Sequence, residues 1–202
     1  MPGDEAQPRK NAEKALEALL AEGVHAPVFV LSRRKPASWR DDPRLVWLAA
    51  DILDEASLEA AAAQIRSHGE PTLILIATGV LQSGELVPGK SMRALDLDRL
   101  TRIFQINAAG PALVAKHLLP LTPRDRRSVM AVLSARVGSI GDNQLGGWYG
   151  YRASKSALNM LVRTLAIEHR RTRPMGLCVA LHPGTVETTL SAPFPTTAPG
   201  KL

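Results

Sequence analysis

The chain alternates short runs of consecutive apolar residues with longer segments in which apolar residues recur every three or four positions. The short runs predict buried strands at residues 27–31, 45–50, 72–76, 129–133 and 177–181. The longer segments predict amphipathic helices at about residues 12–22, 58–65, 96–118 and 148–172. Strands that alternate with helices indicate βαβ units and a parallel sheet covered on both faces. We therefore predict one three-layer α/β domain over residues 1–202, with loose ends at 1–9 and 193–202.

Composition narrows the class of protein. A length of 202 residues suits one domain. The sequence contains no run of 18 apolar residues, so we predict no membrane span. The first 20 residues are polar and carry no hydrophobic signal core, so we expect a cytoplasmic protein. The net charge of +6 is dispersed, and its densest basic group, residues 169–173, falls where a helix should end. We therefore expect neither a membrane partner nor a nucleic-acid partner.

Cysteine and histidine offer little chemistry. Cys178, the single cysteine, lies within an apolar strand and is interpreted as a small core residue rather than a nucleophile. The five histidines are scattered without the spacing of metal ligands, so no metal site is expected.

The most informative stretch runs from Ser128 to Lys155 and predicts a strand, a polar loop and a helix. Tyr151 and Lys155 stand four residues apart on that helix and therefore share a face. A nearby ammonium stabilises a phenolate, so we expect Lys155 to lower the pKa of Tyr151 from about 10. Alternatively, the two side chains form an ordinary pair on a helix surface.

Five motifs give the chain a specific resemblance over about residues 10–192. They are INAAGP (106–111), LSARVGSI (133–140), GGWY (146–149), YRASKSALN (151–159) and HPGTVET (182–188). In this order they resemble the short-chain dehydrogenase/reductase family, in particular the C-factor and sniffer-type carbonyl reductases. The resemblance implies a Rossmann-like doubly wound parallel sheet and hydride transfer between NADPH and a carbonyl or alcohol substrate. It also implies a homo-oligomer, either a dimer or a tetramer.

The resemblance assigns roles to the catalytic candidates. Tyr151 would give its proton to the carbonyl oxygen, and Lys155 would hold the nicotinamide ribose. Asn107, on the apolar side of its helix, would hold a water of the proton relay, or else it is a satisfied core asparagine. A serine should steady the substrate oxygen, but alanine stands in the family's usual position, at Ala135. Spacing favours Ser139 over Ser134, and both remain candidates.

Cofactor contacts are also implied by the resemblance. Arg33 matches the position that contacts the adenosine ribose, where a guanidinium favours NADP, although NAD is possible. Other positions match family residues that contact the adenine, the middle of the cofactor or the nicotinamide. Alternatively, each of these residues has only a local role in a turn or at a strand end. They are Asp51, Ile52, Ala77, Thr78, Gly79, Tyr151, Lys155, Pro183, Gly184, Thr185, Val186 and Thr188.

The family's first strand and its TGxxxGxG loop have no counterpart in the sequence, and the family's final helix and strand are also missing. We therefore expect weakened NADP binding and a sheet that lacks its first strand. The strands near Val28 and Leu73 must then pair directly or leave a gap. These features suggest a fragment, a late start or a decayed relative. The alternative function is a truncated, catalytically impaired relative that acts as a non-enzymatic interaction or scaffold protein.

Overall fold

The computed structural model describes residues 6–23, 27–81 and 89–182, and it has the predicted alternation of strands and helices. The strands are β1 (Val28–Ser32), β2 (Leu45–Ala49), β3 (Leu73–Ile76), β4 (Ser128–Leu133) and β5 (Gly176–Leu181). The helices are α1 (Ala6–Ala21), α2 (Glu55–Arg66), α3 (Leu97–Phe104), α4 (Gly110–Leu118) and α5 (Tyr149–Thr172). A π-helical turn, Gln105–Ala109, joins α3 to α4. The predicted α/β class is confirmed.

The first helix differs from its prediction. It begins at Ala6, so residues 6–9 are helical rather than part of a loose lead. Pro8 lies in the first turn, where a backbone N–H would have no intrahelical acceptor, and proline is therefore tolerated there.

The parallel strands form two separate sheets. One sheet pairs β1 with β2, and the other has the order β3-β4-β5. Registers include Val30 opposite Trp47 and Ile74 opposite Met130. Among the described residues no strand pairs with the free edge of β1 or with the free edge of β3. The sequence predicted either direct pairing of these two strands or a gap between them, and the structure has the gap.

Side chains join the two sheets where backbone hydrogen bonds do not. One buried cluster contains Leu48 of β2, Ile74 of β3 and Met130 of β4, together with Leu58 of α2 and Leu158 of α5. Because this cluster contains residues of both sheets and of α2 and α5, packing of the helices against the strands holds the two sheets together.

Asp54 caps α2 by accepting a hydrogen bond from the Ser57 amide. None of the helices within the described ranges is both long and apolar enough to span a bilayer.

Candidate active site

The predicted site residues follow the carboxyl ends of parallel strands. Arg33 follows β1, Asp51 follows β2, Thr78 follows β3, and Ser134 follows β4. Ligands of open parallel sheets bind at this edge, where the loops diverge. The topology therefore places most of the predicted residues at the edge that can bind a ligand.

Tyr151 and Lys155 lie on the same side of α5, as predicted. The Lys155 Nζ is 5.9 Å from the centre of the Tyr151 ring. Lys155 is only 3% exposed, and its Nζ donates a hydrogen bond of 2.9 Å to the Leu133 carbonyl at the end of β4. Tyr151 lines a cleft between α3 and α5, together with apolar side chains that include Leu100 and Ile103.

The expected lowering of the Tyr151 pKa is wrong. Burial raises the pKa of Tyr151 to about 12, and burial lowers the pKa of Lys155 to about 8. Both shifts have the same cause, since a group withdrawn from water loses the hydration of its charged form. The Lys155 ammonium is bonded to the Leu133 carbonyl, so its effect on the phenol does not outweigh this loss.

Asn107 is completely buried in the π-helical turn. Its Oδ1 accepts from the Val80 amide at 2.7 Å, and its Nδ2 donates to the Val80 carbonyl at 2.8 Å. The Nδ2 also donates to Ser154 Oγ at 3.1 Å, and Ser154 Oγ in turn donates to the Tyr151 carbonyl at 2.9 Å. The Asn107 side chain therefore connects three elements, namely the π-turn, the segment after β3 and the second turn of α5.

Gly79 provides the space in which this network fits. A Cβ at position 79 would lie 3.2 Å from Lys155 Nζ and 3.4 Å from Asn107 Oδ1. Next to it, the Thr78 Oγ1 atom is buried without a hydrogen-bond partner among the described residues. A buried polar atom of this kind calls for a ligand or solvent partner.

The two candidate serines have different hydrogen bonds. Ser134 Oγ donates to the Asn159 Oδ1 atom at 2.6 Å, which uses its only proton. Ser139 is exposed, and its Oγ accepts a hydrogen bond of 3.3 Å from the Asp142 amide, so its own proton is not used by that bond. Asp142 also accepts two hydrogen bonds from Arg136, and this ion pair lowers the pKa of the Asp142 carboxyl.

The predicted cofactor contacts between Arg33 and Gly79 all lie within the described residues. Arg33 is exposed just beyond β1. Asp51 Oδ1 accepts a hydrogen bond of 2.9 Å from the Leu53 amide. Ile52 packs tightly on α4, since a Cβ at Gly110 would come within 2.7 Å of its side chain. Ala77 follows β3 and is partly buried.

The remaining predicted contacts lie outside the described residues; they are Pro183, Gly184, Thr185, Val186 and Thr188. Sequence reasoning missed the contacts of Ser154 and Asn159, although both belong to the motif YRASKSALN. It also missed Trp148, whose ring lies 6.4 Å from that of Tyr151. The two glycines before Trp148 were the available signal, because paired glycines often mark left-handed backbone.

The chain is similar to known proteins over most of its length. The family model described as "short chain dehydrogenase" matches residues 13–198. The 1-hydroxy-2-glutathionyl-2-methyl-3-butene dehydrogenase of Rhodococcus sp. (strain AD45) is 33% identical over 146 residues, which are 72% of this chain and 60% of that protein. C-signal of Myxococcus xanthus is 40% identical over 100 residues, which are 49% of this chain and 58% of that protein.

A solved structure shows the same fold. It is a short-chain dehydrogenase/reductase from Burkholderia multivorans with bound NADP, with a TM-score of 0.74 and 26% identity. The match covers 90% of this chain and 78% of that one. The carbonyl reductase Sniffer of D. melanogaster has the same fold, with a TM-score of 0.73 and 24% identity over 86% of this chain and 76% of that one. This chain spans 60% of the length of the Rhodococcus dehydrogenase and 58% of the length of C-signal. It belongs to the short-chain dehydrogenase family.

Proposed function

We propose that the protein reduces a carbonyl substrate with NADPH, and that Tyr151 is the proton donor. The observation that carries this proposal is the position of Tyr151, which lines a cleft and lies beside the buried Lys155. When bound, the nicotinamide supplies the hydride that reaches the carbonyl carbon. Tyr151 gives its hydroxyl proton to the carbonyl oxygen, so that an alcohol forms and a tyrosinate remains to be reprotonated.

Tyr151 carries its proton at neutral pH, as a proton donor must. Burial raises the pKa of Tyr151 to about 12 from the ordinary value of about 10, which makes the phenol a weaker acid but leaves it protonated at pH 7. Lys155, with a pKa of about 8, is still mostly charged at pH 7 and can stabilise the tyrosinate as it forms. At pH 7 the pair therefore has the protonation states that reduction requires, a neutral phenol beside a charged amine.

The residues present fit a nicotinamide cofactor. Gly79 leaves open a space beside Lys155 Nζ that any side chain would narrow. Thr78 Oγ1 is a buried hydroxyl in need of a partner, and Arg33 offers a guanidinium beyond β1 for a 2′-phosphate. Support also comes from the Burkholderia relative, which was solved with NADP.

We assign the substrate-oxygen contact to Ser139 rather than Ser134. A hydroxyl has one proton to donate, and Ser134 already gives its proton to Asn159. Ser139 receives a bond from Asp142 and keeps its proton available. Replacing Ser139 by alanine should therefore lower kcat about tenfold or more, whereas Ser134→Ala should change kcat less.

The test is oxidation of NADPH with a panel of aldehydes and ketones, followed by absorbance. Tyr151→Phe removes only the reacting hydroxyl and should abolish turnover. Tyr149→Phe is the matched control, because Tyr149 is an exposed tyrosine two residues away on the same helix; it should keep the activity. Equal activity of the two variants would refute the role of Tyr151.

Cofactor preference has its own test. Arg33→Ala should raise the Kd for NADPH while leaving the Kd for NADH nearly unchanged, since only NADPH carries the 2′-phosphate. Arg34→Ala, which changes the neighbouring exposed arginine, is the control. Loss of affinity for both cofactors alike would contradict a specific phosphate contact.

A catalytically impaired relative with a role in protein interaction is the second candidate. Two observations favour it, namely alanine at position 135 and the gap between the two sheets. This candidate predicts no turnover by the unaltered chain at any NADPH concentration, together with cooperative folding. Turnover that depends on Tyr151 would exclude it.

We also propose a homo-oligomer, with a second copy of the chain over α3 and α5. Exposed apolar side chains lie seven residues apart on each helix, Leu97 and Phe104 on α3 and Met160 and Ile167 on α5. Met160→Asp should then shift the mass measured by light scattering to that of a monomer. Ile140→Asp, at an exposed apolar loop position, should leave the mass unchanged. A cytoplasmic location remains a prediction from the sequence.

A further inference from the structure

Three consecutive residues before α5 have left-handed backbone. The φ angles of Gly146 and Gly147 are 62° and 64°, and Trp148 has φ 50° and ψ 40°. Glycine adopts this region freely, but a residue with a Cβ is strained there. Among the described residues Trp148 is the only non-glycine with a positive φ. A bulky side chain at such a position needs a compensating role.

Hydrogen bonds fix this bend from both sides. The Arg152 Nε donates to the carbonyls of Gly146 and Gly147, each at 3.1 Å, and the Arg152 amide donates to the Trp148 carbonyl at 2.9 Å. The Tyr149 amide donates to the Gly89 carbonyl at 3.3 Å. The surroundings therefore hold the Trp148 backbone in a conformation that its side chain would otherwise disfavour.

The side chain that is held in this way packs on Tyr151. The two rings meet edge to face, with centres 6.4 Å apart and planes at 69°, which is a favourable aromatic arrangement. Lys155 Nζ is a second neighbour of the Tyr151 ring, at 5.9 Å from its centre. Tyr151 thus lies among an indole, an ammonium and the cleft.

We propose that Trp148 is a positioning residue, which fixes the Tyr151 ring and shields its hydroxyl from water. This role rests on the proposed function, because it serves the proton donor of that reaction. The rigid indole would keep the phenol oriented toward the cleft, at the cost of a strained backbone next to the helix start. Burial of the phenol, which raises its pKa to about 12, agrees with this shielding.

The decisive measurement needs no substrate and no cofactor. The chain contains two tyrosines, Tyr149 and Tyr151, so in a Tyr149→Phe background only Tyr151 contributes tyrosinate absorbance. Trp148→Gly removes the ring and relieves the backbone, and it should lower the titration midpoint of Tyr151 by about one pH unit. Trp148→Phe retains an aromatic neighbour and should keep the midpoint close to that of the parent.

Thermal unfolding tests whether the backbone at Trp148 is strained. Because glycine relieves the strain, Trp148→Gly should have a Tm equal to or above that of Trp148→Leu, in which the strain remains. Trp148→Leu also lacks the ring and should show the same lowered midpoint, so it replaces the glycine variant if that variant does not fold. An unchanged Tyr151 midpoint in the variants that lack the ring would overturn the proposal.

Activity provides the last readout. Trp148→Gly should lower kcat for carbonyl reduction about tenfold, with little change in the KM for NADPH. If NADPH oxidation is absent in every variant, the proposed function fails, while the tyrosine titration still tests the contact itself. A lowered midpoint with an unchanged kcat would also overturn the positioning role.

Discussion

Replacing Asn107 by alanine tests how far the site depends on one buried side chain. The change removes the acceptor of the Val80 amide and the donor to the Val80 carbonyl, and both bonds are buried. A buried backbone group left without a partner costs about 1–3 kcal/mol, so the two Val80 groups together give about 2–6 kcal/mol. The free energy of unfolding should fall by this amount, measured by urea titration monitored through tryptophan fluorescence.

Ser154→Ala provides the matched comparison. It removes the partner of the third Asn107 bond but leaves both bonds to Val80 in place. Its cost should be only about 0.5–1.5 kcal/mol, the net value of one hydrogen bond. If Asn107→Ala costs no more than Ser154→Ala, the idea that Asn107 fastens the segment after β3 is wrong.

Three further predictions concern the same site. Gly79→Ala places a Cβ 3.2 Å from Lys155 Nζ, and it should lower NADPH oxidation about tenfold or more while the circular dichroism spectrum is retained; unaltered oxidation would show that the ammonium can move freely. Ala135→Ser adds a hydroxyl at the family's usual position, and because Ser139 is assigned the contact with the substrate oxygen, kcat in the same assay should change by less than about threefold; a tenfold gain would mean that Ser139 does not fill that role. Because burial lowers the folded-state pKa of Lys155 from 10.5 to about 8, the unfolded chain binds more protons between these values, and stability should rise with pH. Urea titrations at pH 7.5 and pH 10 should show a gain of about 2–3 kcal/mol that Lys155→Met lacks, whereas equal gains in both proteins would place the effect elsewhere.

The regular elements and much of the site follow from local patterns in the sequence. The strand before Ser134, the helix with Tyr151 and Lys155, and the burial of Asn107 could be predicted, because each depends on periodicity within one element. The acidity of Tyr151 could not, since the loss of hydration depends on packing between α3 and α5. The left-handed conformation of Trp148 was signalled only by the two glycines before it, because it also depends on the hydrogen bond from the Tyr149 amide to the distant Gly89 carbonyl.

The choice between the two serines shows the same limit. Spacing along the chain favoured Ser139, but it could not tell whether either hydroxyl still had a proton to donate. That answer depends on Asn159, which lies 25 residues after Ser134 and donates to the Gly138 carbonyl at 3.4 Å. Competition for a single proton is a property of the folded chain, and no local pattern encodes it.

The division of the strands into two sheets has a consequence for motion. In the described part of the chain, no ladder of backbone hydrogen bonds crosses from β1 to β3, and side-chain packing through the shared core connects them. A junction held by side-chain packing alone is a natural boundary between cooperative units. Amide hydrogens of the β1–β2 pair should therefore exchange with solvent through a partial opening of lower energy than global unfolding, while those of β4, which is paired on both sides, report the whole domain. The part of the site that contains Arg33 and Asp51 would then open locally without opening of the part that contains Tyr151.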